Sequence, residues 1–391
     1  MASGDSNSPI PRILLPIIIL SQFAGTSPWF AGNAILPELQ LAFGLEEGAL
    51  GYLTGAVQLG FIMGTLAFAL LMIADRFHPS KVFWASAWLA AIFNIGLAFG
   101  EHNLTSVLLL RFGTGFFLAG IYPVGMKIAS DWYGSRLGVA LGFLVGALVL
   151  GTAFPHWLRF QARDLNWQRV IFITSALAAT GGLLVGLGIG EGPNRKKGTR
   201  FQPSAITALV KTPRLRQAAI GYFGHMWELY AFWAFIPVFL VQYEARHGVV
   251  LESSLWSFAV IAIGGLGCAL GGLLALRIGS KAVAFWALLT SGAFCLISPL
   301  VAGLSPGGLL ASLMIWGIAV TMDSPQFSTL VAQSAPGSYV GTALTLVNSI
   351  GFALTIVSIQ LLNSIGGEEW MFVLLAPGPI IGLLALRRPR D

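Results

Sequence analysis

The chain has 391 residues, of which 56% are hydrophobic and only 10% charged, and 22 Lys and Arg against 16 Asp and Glu give it a formal charge of +6. A soluble globular domain carries about 25% charged residues, so this chain has too little polar surface to cover a water-facing body. Its mean hydropathy of +0.79 makes lipid the solvent for most of its length.

In chain order, apolar stretches of about 20 residues, each able to cross a ~30 Å hydrocarbon core as a helix, fall at roughly 12–36, 48–73, 81–100, 104–129, 137–160, 168–190, 215–242, 253–275, 281–302, 307–330, 339–362 and 369–387. The first is too long for the apolar core of a cleavable signal and lacks a convincing cleavage site, so it reads as span 1. Connections are short except from Glu191 to Leu215, which is rich in Lys, Arg, Pro and Gly. The expected organisation is a six-helix N-terminal bundle (1–190), a cytoplasmic linker (191–214) and a six-helix C-terminal bundle (215–391). Among 48 glycines, the pairs Gly60/Gly64, Gly142/Gly146 and Gly267/Gly271 predict close helix packing. The two cysteines, Cys268 and Cys295, read as small buried hydrophobes rather than a disulfide or metal pair.

With the N-terminus inside, the inner face holds Arg12, Arg76, Lys81, Arg136, Arg195, Lys196, Lys197, Arg200, Lys211, Arg214, Arg216, Arg277, Lys281, Arg387, Arg388 and Arg390, sixteen of the 22 cations. The outer face holds four, Arg159, Arg163, Arg169 and Arg246, and collects Glu38, Glu46, Glu47, Glu101, Asp164, Glu244, Glu252, Glu368 and Glu369. That bias puts both termini in the cytoplasm. The net charge follows from topology and implies no nucleic-acid partner.

The last third of the chain repeats the first. Ala74-Asp75-Arg76-Phe77-His78-Pro79-Ser80-Lys81 joins spans 2 and 3, and Gly272-Leu273-Leu274-Ala275-Leu276-Arg277-Ile278-Gly279-Ser280-Lys281 joins spans 8 and 9. Pro37 and Pro237 close spans 1 and 7 at the same interval. A duplicated basic loop in a polytopic chain points to a carrier built from two similar halves.

These loops, the six-plus-six arrangement and Arg111-Phe112-Gly113-Thr114-Gly115 opening span 4 resemble the major facilitator superfamily. The family loop is Gly-x-Leu-Ala-Asp-Arg-x-Gly-Arg-Lys. The first copy departs from it with Leu71 and His78 where glycines are usual, the second with Leu276 in place of the aspartate. The Arg-x-x-x-Gly pattern resembles that of proton-linked members. More loosely, the run Trp132-Tyr133-Gly134-Ser135-Arg136-Leu137-Gly138 looks like the span 4–5 joint of the nitrate/nitrite and cyanate permease-like branches. The resemblance implies an all-α membrane protein of twelve transmembrane helices in two pseudo-symmetric bundles, working by alternating access, with spans 1, 4, 7 and 10 around a central cavity. It also implies that Asp75, Arg76, Arg277 and Lys281 belong to the gate. Asp75 would cap the start of span 11 near Ser338–Gly341, and Leu276 makes the gate asymmetric.

Ionisable groups within spans are costly and kept for a reason, at about 2.5–3.5 kcal/mol each at mid-bilayer. His225 and Glu228 in span 7 share a helix face. Asp323 in span 10 precedes Pro325, which breaks the helical ladder, and shares a face with Gln326. Glu228, His225 and Asp323 read as a proton-coupling set facing a water-filled passage, or else as inter-helix struts. Arg111 and Lys127 in span 4 would hold an anionic solute. Alternatively, Arg111 bonds backbone carbonyls and Lys127 pairs with Asp131 or Asp323. Tyr122-Pro123 predicts a kink in span 4. Tyr122, Trp227, Tyr230 and Gln326 are further solute-binding candidates, and Trp29, Phe30, Tyr52 and Trp233 are possible cavity walls. Trp84, Trp88, Trp286 and Trp370 read as lipid-facing. His156 and Arg159 read as an interfacial pair or an outer anion vestibule.

No phosphate-binding loop, zinc spacing or hydrolase grouping is present, so neither an enzyme nor a cofactor is expected. The favoured reading is a monomeric proton-coupled importer of a small anionic solute in a bacterial inner membrane. The alternatives are an efflux antiporter for drugs or amphipathic metabolites, and a transition-metal carrier using His225, Met226, Met322 and Asp323.

Overall fold

A computed structural model describes residues 11–46, 48–133, 137–161, 166–195, 207, 209, 211–336, 340–366 and 368–387. Most of the expected linker lies outside them, as do Glu47, Gly134, Ser135, Arg136, Arg163, Asp164, Lys196, Lys197, Arg200, Ser338, Arg388 and Arg390.

The described chain is helical. Span 1 is broken into Leu14–Thr26, Ala31–Ala34 and Leu36–Phe43. Spans 2 and 3 are Ala49–Leu70 and Pro79–Gly96. Span 4 is Leu104–Leu118 followed by Tyr122–Tyr133, with the break where Tyr122-Pro123 predicts it. Spans 5, 6 and 7 are Leu137–Gln161, Gln168–Gly188 and Pro213–His247. Span 8 is Ser253–Ala262 and Gly264–Ile278, and span 9 is Ser280–Ala302. Span 10 is Pro306–Met322 and Ser324–Ser334, hinged at Asp323 as Pro325 dictates. Span 11 is Val340–Asn363, and span 12 is a short 3₁₀ segment, Met371–Leu375, then Pro377–Arg387. Among the described residues, nine of these spans, taken across their breaks, are long and apolar enough to cross a bilayer; spans 1, 3 and 12 are the shorter or less apolar ones.

Local chemistry fixes several ends. His78, where the family loop has glycine, caps span 3: its Nδ1 accepts from the Ser80 amide at 3.2 Å, with Pro79 at the first helical position. Asn103 and Ser106 form a capping box on span 4. Gly248 ends span 7 in the left-handed region at φ +64°.

The repeat in the sequence is a repeat in packing. Span 2 lies against span 4 through Gly60 and Gly64, where an added Cβ would come within 2.1 Å of Phe112 O and 2.2 Å of Phe116 O. Span 8 lies against span 10 in the same way, through Gly267 and Gly271, at 2.4 Å from Ile318 O and 2.5 Å from Met322 O. These contacts admit only glycine, because the neighbour is backbone and has no rotamer to yield. Of the third expected pair, Gly146 meets Gly265 of span 8, while Gly142 meets nothing within 4 Å.

The halves join where span 2 meets span 11 and span 5 meets span 8. One end of the bundle carries the 2–3 and 8–9 loops and the start of span 7, and is termed the basic end; the other is the acidic end. At the acidic end, Asn363 of span 11 clamps the start of span 2. Its Nδ2 donates to Gly48 O at 3.0 Å and its Oδ1 accepts from the Gly51 amide at 3.2 Å. Toward the basic end, Gly138 and Gly142 of span 5, Gly272 of span 8 and Gly341 of span 11 face open space. Trp84, Trp88, Trp286 and Trp370 are exposed, as a lipid-facing position requires.

Candidate functional site

Between the halves lies a narrow cavity of about 30 Å³. Span 7 contributes Tyr222, Met226, Leu229, Tyr230 and Trp233 to its wall. These recur at the helical interval, so one stripe of the helix faces the cavity. Tyr122 of span 4 enters at that span's break, and span 10 offers Thr321, Ser324 and Ser328 around its hinge. Val145, Leu148 and Val149 of span 5, Cys268 of span 8, and Asn348 and Phe352 of span 11 complete the wall. Spans 5, 8 and 11 therefore share a role that the resemblance gives to spans 1, 4, 7 and 10. Span 1 instead builds the roof. Trp29 stacks on Tyr230 and Phe352 at centroid distances of 5.7 and 5.9 Å, and Phe30 meets Trp233 edge-on at 6.4 Å. This aromatic layer closes the cavity toward the acidic end. Tyr52 is exposed and takes no part in it.

The proton-coupling candidates are not in the cavity wall. Residues advance about 100° around a helix, so Glu228 points nearly opposite the stripe of Tyr222, Met226 and Trp233. It is fully buried in the C-terminal bundle. Its Oε1 accepts from Trp316 Nε1 of span 10 at 2.7 Å and its Oε2 from Ser291 Oγ of span 9 at 2.9 Å. Two neutral donors hold a carboxyl that, among the described residues, has no cation paired with it. The passage-facing position expected for Glu228 is thus corrected. His225, three residues away, turns to another partner: its Nδ1 lies 2.9 Å from Asp323 Oδ1, with both side chains buried. Asp323 Oδ2 and His225 Nε2 have no hydrogen-bond partner in the protein. Gln326 is buried one helical turn below Asp323.

The candidate cations are engaged elsewhere. Arg111 is fully buried at the break in span 1. Its two terminal nitrogens donate to Pro28 O at 3.1 Å, to Asn94 Oδ1 of span 3 at 3.1 Å and to Trp29 O. A five-donor guanidinium suits a broken helix, whose freed carbonyls need partners. Lys127 reaches Asp75 at 2.9 Å, not Asp131 or Asp323. Asp75 thereby belongs to a contact inside the N-terminal half. Arg195, at the start of the expected linker, reinforces it by donating to Phe77 O at 3.1 Å and pairing with Glu191. Arg76, Arg277 and Leu276 are exposed at the basic end, and Lys281 is half-buried there. Trp227 turns away from the cavity and donates to Leu374 O of span 12 at 3.2 Å. At the acidic end Arg159 pairs with Glu38, while His156 is buried just inside.

Sequence reasoning missed Trp316, Ser291, Asn94 and Asn363, whose partners lie far along the chain. It also missed Tyr222, Ser324, Ser328 and Asn348, and read Met226 only as a candidate metal ligand. For Tyr222 and Met226 a signal existed: they continue the stripe that includes Tyr230 and Trp233.

Two broken bundles joined around a cavity, with buried polar groups at the breaks, define a membrane transporter. The chain matches the Major Facilitator Superfamily model over residues 18–359, and it belongs to that family. It is 24% identical over 359 residues, 84% of each chain, to an uncharacterised MFS-type transporter, YfnC, of Bacillus subtilis strain 168. Among solved structures it resembles the human organic anion transporter MFSD10 (TM-score 0.74, 16% identity, 97% of this chain and 100% of that one). It also resembles the nucleoside transporter NupG (TM-score 0.71, 15% identity, 95% of this chain and 98% of that one). At such identities the likeness concerns the fold alone.

Proposed function

We propose that this chain is a proton-coupled secondary transporter that carries a small solute through the central cavity by alternating access. The observation that carries the reading is Glu228: a carboxyl buried in a membrane protein with two neutral donors and no counter-ion. Such a group is expensive unless it exchanges a proton. Gaining or losing that proton changes its bonds to Ser291 and Trp316, and so changes how spans 7, 9 and 10 fit together. The His225–Asp323 pair sits at the hinge of span 10, where Thr321 and Ser324 touch the cavity. Movement at the hinge therefore connects the pair to the solute site without the solute touching either group.

The positive-inside bias sets the basic end in the cytoplasm. The sealed aromatic roof and the Asn363 clamp then correspond to an inward-facing arrangement. One chain supplies every wall of the cavity, which suits a monomer. The anionic-solute reading is the weaker one, since Arg111 and Lys127 both have protein partners and neither lines the cavity. Export of an uncharged amphipathic compound is the second reading, favoured by the same aromatic wall. For a metal carrier, among the described residues no three His, Cys, Asp or Glu side chains gather.

Proteoliposomes decide the coupling. An imposed pH gradient is expected to drive solute accumulation in the wild type. Glu228→Gln is expected to lower that accumulation at least tenfold while solute exchange without a gradient persists. Gradient-driven accumulation unchanged in Glu228→Gln would overturn the proposal.

A further inference from the structure

We infer that the cavity selects an uncharged solute with a planar ring and a hydrogen-bonding edge. This rests on the reading above only in taking the cavity as the solute site. None of its lining residues is Asp, Glu, Lys, Arg or His. An ion transferred there would leave water without a counter-charge, which is costly in a site walled by Val, Leu, Met and aromatic groups. The candidate cations are spoken for: Arg111 by two carbonyls and Asn94, Lys127 by Asp75, and His225, which packs behind the wall residue Tyr222, by Asp323.

The ring preference comes from the roof. Tyr230, Trp233 and Phe352 line the cavity, and their neighbours Trp29, Phe30 and Phe61 back them from the acidic side. Within this layer centroids are separated by 4.5 to 6.4 Å, the spacing at which aromatic pairs attract. A further ring on the cavity side continues the same stack. The polar edge follows from Ser324, Ser328 and Asn348, which are half-exposed, uncharged and grouped on spans 10 and 11. Trp233 adds a donor: its side chain is 1% exposed, it lines the cavity, and its Nε1–H has no partner in the protein. A donor buried in that state wants an acceptor, and a neutral carbonyl or ring nitrogen supplies one without importing charge.

The test compares four probes differing in one property each: benzamide, benzoate, benzylammonium and cyclohexanecarboxamide. Binding is measured by calorimetry on the purified full chain. Benzamide is expected to bind more tightly than each of the other three. Trp233→Phe, which keeps the ring and loses the N–H, is expected to weaken benzamide about fivefold, the worth of one hydrogen bond, with an unchanged melting temperature. Benzoate or benzylammonium binding as well as benzamide overturns the charge assignment. Cyclohexanecarboxamide binding as well overturns the ring. Binding of none of the four up to their solubility limits, or benzamide binding indifferent to Trp233→Phe, overturns the site. Calorimetry on the wild type needs no pH gradient, so failure of benzamide to bind and failure of gradient-driven uptake are read in separate experiments.

Discussion

Arg111 shows how one side chain can look like a ligand for substrate and act as scaffold. Its guanidinium satisfies carbonyls that the break at Ser27–Phe30 strips from span 1, and it ties spans 1, 3 and 4 together through Asn94. Removing it leaves Trp29 O unpaired, at about 1–3 kcal/mol, and Pro28 O with only the Ala31 amide at 3.3 Å. Arg111→Ala is therefore expected to lower the melting temperature in detergent by several degrees and leave solute affinity nearly intact. Arg111→Lys is expected to recover little, because an ammonium does not span the same acceptors. Affinity lost at an unchanged melting temperature would return Arg111 to a solute-binding role. Glu228 is the opposite case: its partners Trp316 and Ser291 are neutral, so no opposite charge is matched to the carboxyl there. The motif loop supplied neither distinction. Arg111 and Glu228 stand out in the sequence because charge is rare in an oily span, but rarity says nothing about which atoms they meet.

Among elements, the helix breaks and the glycine seams divide the labour. Breaks in spans 1, 4 and 10 create the roof, admit Tyr122 to the cavity and place Asp323 at a hinge. Each is signalled by proline or by a polar residue in an apolar run. The seams are rigid where glycine meets backbone, as between spans 2 and 4. The joint between spans 2 and 11 is different, because Gly51 meets a side chain: an added Cβ would stand 2.6 Å from Asn363 Cγ. Gly51→Ala and Asn363→Ala are both expected to loosen the acidic end and shift the equilibrium toward the outward-open arrangement. The check is distance measurement between spin labels on the acidic ends of spans 2 and 11, which should lengthen in a larger fraction of molecules. An unchanged distribution in both variants would show that the aromatic roof alone holds that end shut.

Across the whole molecule, the open space beside Gly138, Gly142, Gly272 and Gly341 and the half-exposed Ser328 lie on one side of the roof. In vesicles of known sidedness, Ser328→Cys in a chain with Cys268 and Cys295 replaced by Ser is expected to react with a membrane-impermeant maleimide from the basic side, and at least tenfold more slowly from the acidic side. Equal reaction from both sides would mean that the roof does not seal.

The sequence by itself determined that the chain spans the membrane many times, where most spans begin and end, that its halves repeat, and which side is basic. These follow from local quantities: a run of apolar residues long enough for a bilayer, a proline that cannot donate, and a count of Lys and Arg in short loops. The tertiary structure alone decided what each buried polar group touches. Glu228 and His225 share a helix face in the sequence yet take different partners, Ser291 and Trp316 for the one and Asp323 for the other. Lys127 passes over a neighbouring acid, Asp131, for Asp75, and the candidate cations leave the cavity without charge. Such pairings join residues up to 315 positions apart, and helix periodicity fixes the direction a side chain leaves its own axis but not which helix stands in that direction.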